Sequence, residues 1–191
     1  MVLATSELQK IAHNITALND YNIRGASIDL SLGDTAKIQK DDTEIDLFTL
    51  DDGLINEDIY EDVDLAKGYP LLPQTYLYAS SVEQVSIPNN MCGIVLPRSS
   101  FARIGLILPI SLYANPGYVG HLPIVIFNAS RSVIKIPPYI RIMQLLFLET
   151  KGTSIPYGKY EDSKYQDEDA LALPKFNDKE LRDILDRIKK A

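Results

Sequence analysis

PRSSFARIGL, from Pro97 to Leu106, is followed nine positions later by NPGYVGHLPIVIFN, from Asn115 to Asn128. In the first stretch two serines adjoin Arg98, and a second arginine, Arg103, lies five positions on. Serine hydroxyls, backbone N–H groups freed at a turn and a guanidinium fork suit a phosphate chain. A helix N-cap with surface arginines would account for RSSxxR equally well. The second stretch opens on an Asn-Pro-Gly turn and runs into apolar residues at strand spacing.

Outward from this pair the same texture continues. Short runs rich in Val, Ile, Leu and Tyr are separated by Pro, Gly and Asn: SIDLSL (27–32), EIDLFTL (44–50), YLYAS (76–80), GIVLP (93–97), LILPI (106–110), VIKIP (133–137) and IRIMQLLFLE (140–149). Many short strands without helices between them predict a mainly β chain, a distorted barrel or jelly-roll. Helices are expected at the two ends. Leu8, Ile11, Ala12 and Ile15 share one helical face behind Thr5 or Ser6 as N-cap, within an N-terminal segment 1–20. Asn177 stands three residues before Glu180 as in a capping box, and Leu181, Ile184, Leu185 and Ile188 form a stripe that predicts a final helix to about Lys190 within a tail 156–191.

The chain has 191 residues, 46% of them apolar, which suits one core and hence a single domain 1–191. Acidic residues outnumber basic ones, 26 to 19, which argues against a nucleic-acid-coating protein. One cysteine and two histidines provide neither a disulfide framework nor a zinc site. No signal-like start and no apolar run of roughly 18 residues is present, so a cytoplasmic protein without a membrane span is expected. Charge is segregated: Asp41 to Asp64 carries eleven acidic residues and no basic one, and Gln84 to Leu148 carries no Asp or Glu. The acidic window, 41–66 with its flank, reads as a solvated excursion. The carboxylate-free stretch, with Arg98, Arg103, Arg131, Lys135 and Arg141, reads either as a surface for a polyanion or as buried strands that exclude carboxylates.

From about Asn22 to Gln166 the chain resembles the dCTP deaminase branch of the dCTP deaminase/dUTPase superfamily. ASIDLSLG (26–33) is similar to the family's N-terminal strand motif, PRSSFARIGL to its phosphate-binding loop, and NPGYVGHLPIVIFN to its substrate hairpin. RIMQLLF (141–147) is similar to its late core strand, and DSKYQ (162–166) to the tail that closes over the phosphates. The resemblance implies a homotrimer with sites between subunits and a magnesium-chelated pyrimidine deoxynucleoside triphosphate, dCTP or dUTP, with no metal ligand supplied by the protein. Arg98, Ser99, Ser100 and Arg103 would position the phosphates, and Ser99 and Arg103 would border an attacking water. Tyr118 would pack beneath the deoxyribose, Gln144 would support the phosphate pocket, and Lys164 and Tyr165 would cap the triphosphate. Glu168 stands where the family often has Gln and would repel phosphate.

The acids of the resemblance are missing. Deamination without zinc needs a carboxylate of tuned pKa on the strand after the hairpin, where Val125 stands. Hydrolysis of dUTP needs one before the turn, where Asn115 stands. A relocated carboxylate would come from Asp29, the acidic window, the tail or a neighbouring subunit. Three readings follow: an active deaminase or pyrophosphatase, a catalytically silent nucleotide binder, or an interaction scaffold.

Overall fold

The computed structural model describes residues 1–48, 54–109, 113–167 and 169–189. In chain order these form α1 (Thr5–Ile11), β1 (Ile23–Arg24), β2 (Ser27–Gln39), β3 (Tyr60–Asp64), β4 (Tyr69–Leu71), β5 (Tyr76–Ser86), β6 (Met91–Pro97), α2 (Ser99–Ala102), β7 (Leu106–Ile107), β8 (Tyr113–Ala114), β9 (Val119–Asn128), β10 (Ile134–Ile136), β11 (Arg141–Glu149) and α3 (Lys179–Lys189). Strands dominate, as the punctuated apolar runs predict. One curled sheet runs in the order β7-β9-β5-β2-β11-β6-β8, with β1 and β3 also on β2, and β4 pairs with β10 separately.

β2 is the hinge of the sheet. Its first half pairs with β11 (Asp29 opposite Gln144) and its second half with β3 and β5 (Lys37 opposite Asp62 and Tyr78). Ile28, Leu30 and Leu32 point into the core with Leu77, Ile124, Leu145 and Phe147, and the buried apolar residues form one cluster. Each such side chain removes about 1.5–3 kcal/mol worth of apolar surface from water. The N-terminus is pinned to the same layer, with Leu3 N–H donating to the Phe147 carbonyl at 3.0 Å.

Several expectations change at the elements' ends. α1 closes at Ile11 and passes into a 3-10 turn over Ala12–Asn14. Its N-cap is Ala4, because the Thr5 hydroxyl donates to the Gly25 carbonyl at 2.8 Å instead of capping. The acidic window is not all loop: Tyr60 and Val63 turn inward while Glu61, Asp62 and Asp64 stay exposed, and the five residues of β3 pair along β2. Lys37 bonds Asp62 at 2.6 Å there. Residues 44–48, expected as strand, have no regular structure, since Asp46 turns back to accept the Phe48 N–H at 2.9 Å. α3 begins two residues after Asn177. No helix among the described residues is long and apolar enough to cross a membrane.

Candidate functional site

β5 and β9 lie side by side, Tyr78 opposite Val125 and Ser80 opposite Pro123. Strand alternation puts Tyr76, Tyr78 and Ser80 on the same face as His121, Pro123 and Val125. These residues form the floor of a cavity of about 550 Å³. The hairpin supplies one wall through Asn115 and Tyr118, and the tail supplies the roof through Tyr157, Tyr165, Leu171 and Ala172. The sequence-predicted positions Asn115, Tyr118, Val125 and Tyr165 therefore meet in one place.

The cavity is aromatic. Seven of the chain's eleven tyrosines line it, Tyr60 and Tyr113 completing those already named. Burial pushes the Tyr78 and Tyr118 hydroxyls up to about 12, with nearby tyrosines adding to the effect, so at neutral pH both are un-ionised donors. Tyr118 donates to the His121 carbonyl at 2.9 Å, and its ring meets Tyr157 edge-on at 5.8 Å. Such a pair contributes about 0.5–1.5 kcal/mol beyond its buried area. Tyr78 donates to the Ala172 carbonyl.

Glycine makes the hairpin possible. Gly117 has φ +77°, and a Cβ there would lie 2.6 Å from Pro156 Cβ. Across this close approach the tail is stitched to the hairpin: Tyr157 N–H donates to the Pro116 carbonyl at 2.7 Å, and Asp167 N–H to the Val119 carbonyl at 2.9 Å. Gln166 accepts from Val119 N–H and donates to the Gly117 carbonyl, each at 3.3 Å. Lys164 is not free at the cavity mouth, because its ammonium bonds Asp178 and the Lys175 carbonyl. Residue 168, where Glu168 is expected to repel phosphate, lies outside the described residues.

The other predicted residues stand elsewhere. Arg98 precedes α2, Ser99, Ser100 and Arg103 are exposed on and beside it, and none of the four lines the cavity. Asp29 is 2% exposed, and its carboxylate is taken up by Arg141 at 3.1 Å, Arg98 at 3.7 Å and Gln144 at 3.3 Å. That cluster braces the start of the arginine loop against β2 and β11 and is separate from the cavity lining. A buried anion facing two guanidinium groups is held as a structural ion cluster.

Sequence reasoning passed over His121 and Glu83. β5 bulges between Ser80 and Gln84, and the bulge tucks Ser81 and Glu83 inside the fold. The Ser81 carbonyl lies 2.9 Å from His121 Nδ1, and Ser31 N–H donates to Glu83 at 2.8 Å. Burial pushes the Glu83 carboxyl above its ordinary value, against the opposing pull of the Ser31 N–H bond. The one available signal was Glu83 as the last acid before the carboxylate-free stretch. Among the cavity-lining described residues the only carboxylate is Asp169, on the tail. Among the described residues no cluster of three His, Cys, Asp or Glu could hold a metal ion.

The chain is 30% identical over 152 residues to the dUMP-forming dCTP deaminase of Sulfurihydrogenibium sp. (strain YO3AOP1), covering 78% of this chain and 83% of that one. It is 28% identical over 187 residues to the dUMP-forming dCTP deaminase of Dictyoglomus turgidum, covering 93% and 95%. The 2'-deoxycytidine 5'-triphosphate deaminase from Agrobacterium tumefaciens shares the fold, with TM-score 0.60 at 20% identity over 76% of this chain and 47% of that longer one. Residues 2–150 match the dCTP deaminase-like family, and the chain belongs to that family, within the dCTP deaminase/dUTPase superfamily.

Proposed function

We propose that the aromatic cavity holds a pyrimidine deoxynucleoside triphosphate, dCTP or dUTP, and that the chain works in dUTP and dUMP metabolism. The observation that carries this reading is the convergence of Asn115, Tyr118 and Val125 of the hairpin motif with Tyr165 of the tail motif on one cavity. Tyr118 would lie under the deoxyribose and exclude a ribose, while the unpaired edge of β9 would read the base. Among the described residues β7 pairs with β9 at Phe127 and Asn128 alone, which leaves the edge nearer the hairpin for that purpose. Magnesium would arrive chelated by the phosphates, whose oxygens suit it better than any described side-chain cluster does.

Among the described residues no lysine or arginine lines the cavity, and a triphosphate needs them. The Arg98, Ser99, Ser100 and Arg103 loop would supply that charge from a neighbouring copy, in the closed homotrimer that the family resemblance implies. Mixing Tyr118→Ala and Arg103→Ala chains, each defective by itself, is expected to restore roughly one quarter of the wild-type binding sites by random assortment. Binding recovered at no site in the mixture would refute shared sites.

A second reading has its own support. Val125 and Asn115 both face the cavity where the family's acids belong, so pocket and chemistry have separated, as in a catalytically silent nucleotide sensor.

A further inference from the structure

The missing acids leave a question of which group in the cavity can take a proton from water. Asp169 is exposed on the tail, and the Tyr78 and Tyr118 hydroxyls hold their protons to about 12. His121 differs from these in being built into the floor. Its Nδ1 faces the Ser81 carbonyl at 2.9 Å, so the neutral ring carries its hydrogen on Nδ1 and leaves the lone pair on Nε2. The bulge that presents this carbonyl is fastened twice through Ser81: its hydroxyl accepts from Leu122 N–H at 2.9 Å and donates to the Glu83 carbonyl at 2.7 Å. Bulges of this kind recur where a side chain must be re-aimed beside an active site. Buried Glu83 lies near enough to attract a protonated His121 ring.

Position along the strand decides which missing acid the ring could replace. Val125 is four residues from His121 on the same face, about 13 Å at strand rise, beyond the reach of an imidazole. The hairpin end is close: Tyr118 bonds the His121 carbonyl, and Tyr118 N–H donates to the Asn115 carbonyl at 3.1 Å. His121 therefore stands at the sugar and phosphate end of the proposed site rather than the base end.

We propose that His121 is the general base of a nucleoside triphosphate pyrophosphohydrolase, standing in for the acid that Asn115 lacks; this rests on the nucleotide reading of the cavity. Nε2 takes a proton from water as the water oxygen bonds the α-phosphorus. The bond from that phosphorus to the bridging oxygen breaks, and its electron pair leaves with pyrophosphate. The proton then passes to solvent, and the net change is triphosphate plus water to monophosphate plus pyrophosphate. The titratable side chains that share the cavity with the ring are Asp169 and the tyrosines of β3, β5, β8, the hairpin and the tail, and buried Glu83 attracts it from β5.

The test uses the full-length chain with magnesium and dUTP or dCTP, and measures pyrophosphate release together with calorimetric binding of α,β-imido-dUTP. His121→Asn keeps an amide donor for the Ser81 carbonyl, so its binding is expected within about threefold of wild type while release falls by about 100-fold or more. Release by His121→Asn within about threefold of wild type overturns the proposal, as does a wild-type chain that binds the analogue and releases nothing. Failure of the wild type to bind the analogue would sink the nucleotide reading and this proposal with it. Should His121→Asn not fold, His121→Gln is measured in its place, and release within about threefold of wild type overturns the proposal.

Discussion

At the residue scale, two buried carboxylates in this chain do different work. Asp29 faces two arginines and a glutamine, and Asp29→Asn leaves both guanidinium groups without their anion. Removing one partner of a buried pair costs about 3 kcal/mol or more, so urea denaturation is expected to show a loss of that size. A loss under about 1 kcal/mol would mean that the cluster is not a brace. Burial holds the Glu83 carboxyl above its ordinary value of 4.5. The folded chain therefore keeps a proton there that the unfolded chain has released, and stability falls as pH climbs from about 4.5 through the raised folded value. Glu83→Gln removes that proton exchange, so the gap in Tm between the variant and wild type should widen in the variant's favour from pH 4.5 to pH 7. An unchanged gap would mean that Glu83 titrates alike in both states.

At the scale of elements, the hairpin and the tail form one unit. Gly117→Ala introduces both an unfavourable φ and a contact at 2.6 Å with Pro156. The backbone part alone costs about 1–2 kcal/mol. Gly152, at φ +97° with nothing within 4 Å, is the control that carries only this part. Limited proteolysis is expected to release the tail faster in Gly117→Ala than in Gly152→Ala, and equal rates would argue that the tail is not latched at the hairpin. Legibility in the sequence follows the same division. β2, β5, β9 and β11 were readable because their apolar residues recur at strand spacing and are buried against one another. β3 was not readable, since its inward pair Tyr60 and Val63 is outnumbered by acidic neighbours whose charge signals solvent. Tyr76 and Tyr78 look like core residues in the sequence, and only the tail lying over them shows that they enclose space. His121 was invisible as a functional residue, because the bulge that orients it is a tertiary feature.

At the scale of the whole molecule, aromatic surface and cationic surface occupy different parts of one chain. The tyrosines line the cavity against β5, β9, β8 and the tail, and Arg98 and Arg103 flank α2, which links β6 to β7 outside the cavity lining. Ile94 and Leu96 on β6 are 38% and 46% exposed, an apolar pair on the strand that leads into the arginine loop. The proposed trimer would bring the two functional surfaces together. The measurement that bears most directly on this account is calorimetric titration of the intact protein with dCTP, dUTP and UTP in magnesium. One deoxynucleotide bound per subunit, with UTP excluded by Tyr118, is the predicted result, and absence of heat with both deoxynucleotides would contradict it.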